Sequence, residues 1–257
     1  MATFTTEIAS DQIASDNPVH QRLLKAYYEA QPYIQGELLE IGCGEGRGVE
    51  LLAPKSESYL ALDKISEVID RLRQKYPHVN FQQAFVPPFK GIADNSFDVI
   101  VSFQVIEHIE DDKYFLQEIQ RVLKPGGKAI ITTPNIKQTL TRNPWHEREY
   151  TAQELNTLCS PIFSKVDMKG IAGSARMMEY HEKNRESVRK ITRFDIFNLQ
   201  YRLPAPILRV PYDILNRLNR NRLKKSNDNL VSNINLNDFH LTTNMEECLD
   251  LFFVLYK

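Results

Sequence analysis

From Leu38 to Thr133, apolar runs of strand length alternate with amphipathic stretches of helical period, and this alternation narrows the fold more than any other feature. Strands that are apolar throughout rather than on alternate positions need cover on both faces, which is the property of a parallel sheet sandwiched between helices. The first strand reads LLEI, residues 38–41, followed by a glycine cluster and a short helix, RGVELLA, that must stop at Pro54 because proline cannot donate or fit within a helix. YLAL, residues 59–62, is the second strand. Ile65, Val68, Ile69, Leu72 and Tyr76 then fall on one helical face that ends at Pro77. Further strands follow at Val79–Gln83, Phe97–Phe103 and 128–133, the last two separated by a helix marked by Phe115, Ile119, Val122 and Leu123 and by the turn Lys124-Pro125-Gly126-Gly127. Thr151 and Glu154 make a capping-box pattern at the head of TAQELNTL, and SKVDMKGI and the terminal LDLFFVLYK read as strands.

Composition sets outer limits. A chain of 257 residues with 42% hydrophobic and 25% charged residues can bury a real core. Its longest purely apolar run, Leu251–Tyr256, is far short of the roughly 20 residues that cross a bilayer. The opening MATFTTEIASDQ lacks the basic start and apolar stretch of a signal peptide, so a cytoplasmic location is expected. Cys43, Cys159 and Cys248 show no metal or disulfide spacing and read as free thiols. Net charge is −1, yet residues 175–225 hold 13 Lys/Arg against 5 Asp/Glu. This basic stretch lies between the last two strands, in a segment too long for an ordinary connection, and Asn227–Asn237 within it reads as a mobile loop.

Chemistry concentrates at Glu40-Ile41-Gly42-Cys43-Gly44-Glu45-Gly46, where the first strand turns into the first helix. Glycines there let the backbone bend and approach a ligand beside unpaired helical N–H groups. A dinucleotide fingerprint would place its third glycine at position 47, which is Arg47. Glu40 instead offers an acceptor to a ligand amine, and Asp63, ending the second strand, can take both hydroxyls of a ribose or cap the following helix.

LLEIGCGEGRG, LALD, SFDVIVSFQVIEHIED and VLKPGG together resemble, in order and spacing, the class I S-adenosylmethionine-dependent methyltransferases, over residues 38 to about 171. The resemblance implies an α/β, Rossmann-like, seven-stranded and mostly parallel sheet of order 3-2-1-4-5-7-6, with residues 1–173 and 247–257 binding the donor and 174–246 forming a mostly helical insertion. It implies S-adenosylmethionine as methyl donor. Glu40, Gly42, Cys43, Gly44 and Gly46 would surround its methionine and ribose parts, Asp63 its ribose hydroxyls and Lys64 or Ile65 its adenine. Where the family commonly has an Asp for the adenine amino group this chain has Gln83-Ala84, giving an uncharged acceptor and a backbone contact. Phe103 would lie near the sulfonium. The Asn/Asp-Pro-Pro-aromatic motif of enzymes that methylate base amines is replaced by Ser102-Phe103-Gln104-Val105, so DNA is not expected as a partner.

A hydroxyl acceptor needs a base, and His108 and His146 are the candidates, each with a structural alternative in packing its own loop. The stretch around His108 also resembles methyltransferases that hold a divalent ion through Glu-x-x-Glu-His plus a later histidine, but the first glutamate is here Gln104, and no metal is expected. Three functions stand: methylation of an O or N nucleophile of a small molecule such as a lipid, quinone precursor or saccharide; methylation of RNA or protein through the basic insertion; and donor binding without catalysis. The insertion is expected to cap the site and bind the acceptor, with Leu208, Tyr212, Leu215 and Leu218 as its apolar face. Arg209, Arg217, Arg220, Arg222, Lys224 and Lys225 would supply its positive charge, suited also to an anionic membrane surface.

Overall fold

The computed structural model describes residues 13–257; the opening segment 1–12, on which the location expectation rests, lies outside the described residues. Strands β1 (Glu37–Ile41), β2 (Ser58–Asp63), β3 (Asn80–Gln83), β4 (Phe97–Phe103), β5 (Leu123–Pro134), β6 (Lys165–Gly173), β7 (Phe239–Thr242) and β8 (Asp250–Tyr256) form one sheet of order β3-β2-β1-β4-β5-β8-β6-β7. The pairings among β1 to β5 are parallel, and β8 runs antiparallel to both β5 and β6. The Rossmann-like α/β architecture is as expected, with one difference: among the described residues there are eight strands, because β7 pairs antiparallel with β6 at the sheet edge. Four residues, FHLT, are too few to show a period, and only the buried Phe239 and the open edge of β6 recruit them.

Helices α1 (Asn17–Ala30), α2 (Val49–Leu52), α3 (Ser66–Lys75), α4 (Asp112–Val122) and α5 (Ala152–Cys159) accompany the sheet, and α6 (Ala175–Thr192), α7 (Leu199–Arg202), α8 (Ala205–Ser226) and α9 (Asp228–Asn233) follow β6. Adjacent strand residues point to opposite faces, so Leu38 packs with Tyr27, Val49 and Leu72 while Leu39 packs with Phe115, Ile119 and Leu155. Each such fully buried side chain contributes about 1.5 to 3 kcal/mol. α4 starts where the Asp111 carboxylate accepts the Tyr114 N–H at 2.9 Å, and α5 where Thr151 and Glu154 cap one another's backbone.

The segment after β6 is clasped to α1. Buried Asp16 pairs with Arg217 at 2.7 Å and Arg220 at 3.0 Å, and the Asn17 amide donates to the carbonyls of Val231 and Ile234 at 2.8 Å each. The asparagine-rich stretch is therefore no mobile loop: α9 occupies it, with Val231 and Ile234 buried against α1. Much of the basic charge on α8 is likewise spent internally. Arg217 and Arg220 hold Asp16, Lys224 pairs with Asp228, and Arg209 stacks 4.5 Å from the Trp145 ring, whereas Arg222 and Lys225 are exposed.

Candidate active site

The carboxyl ends of β1, β2, β3 and β4 surround a cavity of about 350 Å³. Gly42 and Gly44 have φ of 78° and 49°, which only glycine adopts without strain. A Cβ on Gly42 would also lie 2.4 Å from the Val105 side chain, whereas one on Gly44 would meet nothing within 4 Å. The loop is pinned to β2: Gly42 and Cys43 donate to the Leu62 carbonyl at 2.8 and 3.0 Å, and Gly44 N–H donates to Asp63 Oδ2 at 2.8 Å. Asp63 Oδ1 accepts the Ile65 N–H at 3.0 Å. Each carboxylate oxygen keeps a lone pair for a further donor. Burial pushes the Cys43 thiol far above its ordinary range, so it lines the cavity as a neutral wall.

A second cleft of about 260 Å³ adjoins the first, and Leu23, Gln104 and His108 line both. The His108 and His146 rings stand edge to face, 4.9 Å apart. His108 Nδ1 lies 2.8 Å from the Trp145 carbonyl, which can only accept, so Nδ1 carries the proton and Nε2 the lone pair. His146 Nδ1 donates to Glu149 Oε1 at 2.7 Å, and its Nε2 accepts from the Asn143 amide at 2.7 Å. The carboxylate thus fixes the imidazole's tautomer and orientation, the arrangement of a base held by a third group. Glu107 is buried beside them, accepting the Thr133 hydroxyl at 3.0 Å. Burial pushes its carboxyl up to about 7, against the pull of a nearby charge on His146. In the cleft wall His181 is also buried; desolvation and the positive Arg185 and Arg22 push it down to about 4, so it is a neutral imidazole near pH 7.

The loop carrying His146 is tied to the helical insertion. Arg142 donates to the carbonyls of Gln200 and Leu203, Thr141 bonds Gln200 at 2.6 Å, and the Trp145 indole donates to Asp213 at 3.1 Å.

Residues 39–131 match the methyltransferase domain family, over the same strands and loops that build the first cavity. Residues 39–131 therefore form a class I S-adenosylmethionine-dependent methyltransferase domain. A probable S-adenosylmethionine-dependent methyltransferase of Mycolicibacterium smegmatis is 34% identical over 158 residues, 59% of this chain and 61% of that protein, so the match spans about three fifths of the relative's length. A ubiquinone biosynthesis O-methyltransferase of Rickettsia conorii is 28% identical over 48% of this chain and 44% of its own. Among solved structures, a methyltransferase from Thermotoga maritima superposes with a TM-score of 0.59 at 15% identity, covering 95% of this chain and 91% of that one, which speaks for the fold.

Within the methyltransferase domain, Gly42, Cys43, Gly44, Asp63, Lys64, Ala84, Phe103 and His108 line the first cavity. Three expected donor residues do not. Both Glu40 oxygens accept phenol hydroxyls, from Tyr27 at 2.7 Å and from Tyr59, and the carboxylate lies buried away from the cavity. Gly46 packs under α3, where a Cβ would come 2.6 Å from Leu72. Gln83 turns outward, its amide donating to the Lys64 carbonyl at 3.0 Å. His146 lines the second cleft.

Sequence reasoning had not singled out Tyr27, which holds Glu40 and meets Phe103 edge to face at 4.8 Å, nor His181 and Glu149. Only Glu107 carried a signal, standing next to His108. Glu107, His108 and His146 bring one ligand atom each within 4.8 Å of one another, a donor set of a type that binds divalent ions. His146 already spends both ring nitrogens on Glu149 and Asn143, so ligation would require displacing the asparagine amide.

Proposed function

We propose that the protein transfers the methyl group of S-adenosylmethionine to an oxygen or nitrogen of a small molecule held in the second cleft. The observation that carries this reading is the junction of the two cavities at Gln104 and His108, beside an imidazole oriented by a carboxylate. Asp63 accepts the ribose hydroxyls, the Gly42–Gly44 backbone faces the methionine part, and Lys64, Ile65 and the Ala84 backbone border the adenine. The acceptor atom attacks the methyl carbon in line with the sulfonium; the new bond forms as the carbon–sulfur bond breaks, S-adenosylhomocysteine leaves, and the acceptor's proton passes to His108 Nε2, or to His146 Nε2 once the acceptor displaces the Asn143 amide from it. Glu107 and Glu149 stabilise the imidazolium so formed.

The test is calorimetric binding of S-adenosylhomocysteine together with transfer of a labelled methyl group to small-molecule extracts. Asp63→Ala removes two hydrogen bonds to a charged acceptor, about 1.5 to 3 kcal/mol each, and lowers affinity at least tenfold. Unchanged affinity in that variant would overturn the donor assignment.

One observation favours peripheral contact with an anionic membrane as well. Phe194, Ile196, Phe197, Tyr201, Ile207, Val210, Ile214 and Leu218 are all more than half exposed on the insertion, and exposed Arg193, Arg202, Arg222 and Lys225 flank them. An apolar surface edged by cations matches the interface of an anionic bilayer. Among the described residues no helix is long and apolar enough to cross a membrane.

A further inference from the structure

A third cavity, of about 450 Å³, lies between α6 and α8 and is walled by Val188, Ile191, Leu203, Leu208, Tyr212 and Leu215. Thr141, Val188, Tyr212, Asn216 and Asn219 line both this cavity and the histidine cleft, so the two adjoin along a shared wall of side chains. Its lining also includes Phe194, a residue 73% exposed, so the cavity reaches the surface of the insertion. The cleft holds a complementary polar feature. His181 is 93% buried in its wall, and its Nε2 has no hydrogen-bond partner among the described residues. A buried nitrogen left in that condition costs stability unless a ligand satisfies it.

We propose that the acceptor is an amphiphile, with its polar, nucleophile-bearing head hydrogen-bonded to His181 in the cleft and its apolar chain in the cavity between α6 and α8. The route runs from the surface of the insertion through the apolar cavity to a polar end beside His108 and the donor. A fully polar acceptor would leave the cavity without a match, and a fully apolar one would leave His181 unpaired. His181 acts here as a positioning residue, and the proposal rests on the methyl-transfer reading only for what happens to the head.

The probes are butyl, hexyl and octyl β-glucosides below their micelle concentrations, titrated calorimetrically into the full chain, with S-adenosylhomocysteine binding measured in parallel on every variant. Affinity should rise with chain length, by up to about fourfold per methylene, the equivalent of burying one CH₂. Leu208→Glu, in the cavity wall, should flatten this dependence, while Ile214→Glu, on the outer face of α8, should leave it intact. His181→Ala should weaken all three probes by a common factor and preserve the slope. No chain-length dependence in the wild type, or a slope lost in Ile214→Glu and kept in Leu208→Glu, would overturn the cavity assignment; equal binding by His181→Ala would overturn the head assignment. Retained S-adenosylhomocysteine binding separates these outcomes from a failure of the donor site.

Discussion

Glu107 and Asp63 show how the same side-chain type takes different work from its surroundings. Asp63 ends β2 half-buried with backbone donors on both oxygens, while Glu107 is buried with one hydroxyl donor and an imidazole nearby. A carboxyl whose folded pKa stands above its unfolded value of 4.5, here about 7, favours the fold at low pH. That contribution is lost as pH rises through about 7. Glu107→Gln cannot ionise, so its stability relative to wild type should improve between pH 5 and pH 8, by up to about 3 kcal/mol, in urea titrations at the two pH values. Methyl transfer to a hydroxyl should rise through the neutral range as the Glu107 carboxyl loses its proton, and Glu107→Gln should remove this limb; a pH-independent rate in the wild type would remove the Glu107-assisted base. At Gly44 a side chain has room but not the backbone angle, so Gly44→Val should weaken S-adenosylhomocysteine binding at least tenfold through loop strain. Activity should survive a chelator. Loss under chelation, restored by a divalent ion, would reassign Glu107, His108 and His146 as ligands.

At the scale of elements, the decisive contact joins the start of α1 to the middle of α8. Burial raises the Asp16 carboxyl, but Arg217 and Arg220 outweigh it and hold the group below the usual range. A depressed pKa stabilises the fold above the unfolded carboxylate pKa, and the contribution disappears as pH falls through the folded value. Asp16→Asn leaves two largely buried guanidiniums without their partner and should cost about 3 kcal/mol at neutral pH, read as a lower denaturation midpoint. The gap should close in strong acid. An unchanged midpoint would show that apolar packing alone docks the insertion. Replacing residues 174–246 wholesale would remove β7 from the sheet and uncover α1, so it does not isolate the insertion's role.

For the molecule as a whole, the insertion exposes several large apolar side chains and cations while the first cavity lies at the sheet's carboxyl end. Vesicles containing anionic lipid should sediment the protein at low salt, with binding falling as salt rises; neutral vesicles should bind it less. Equal binding to both, or none, would sink the electrostatic part of that reading. The sequence by itself determined the alternation of strands and helices, the glycine loop and Asp63, because local spacing and backbone permissiveness fix where a parallel sheet turns and where a loop can bend. It also placed His108 and His146 at adjacent strand ends. Only the tertiary structure decided that Glu40 is occupied by two tyrosines and that Gln83 faces outward. It also gave Arg217 and Arg220 to Asp16, and left a cavity between α6 and α8. Those outcomes depend on which distant side chains reach a donor, an acceptor or a charge first, and sequence spacing carries no information about partners some 200 residues apart.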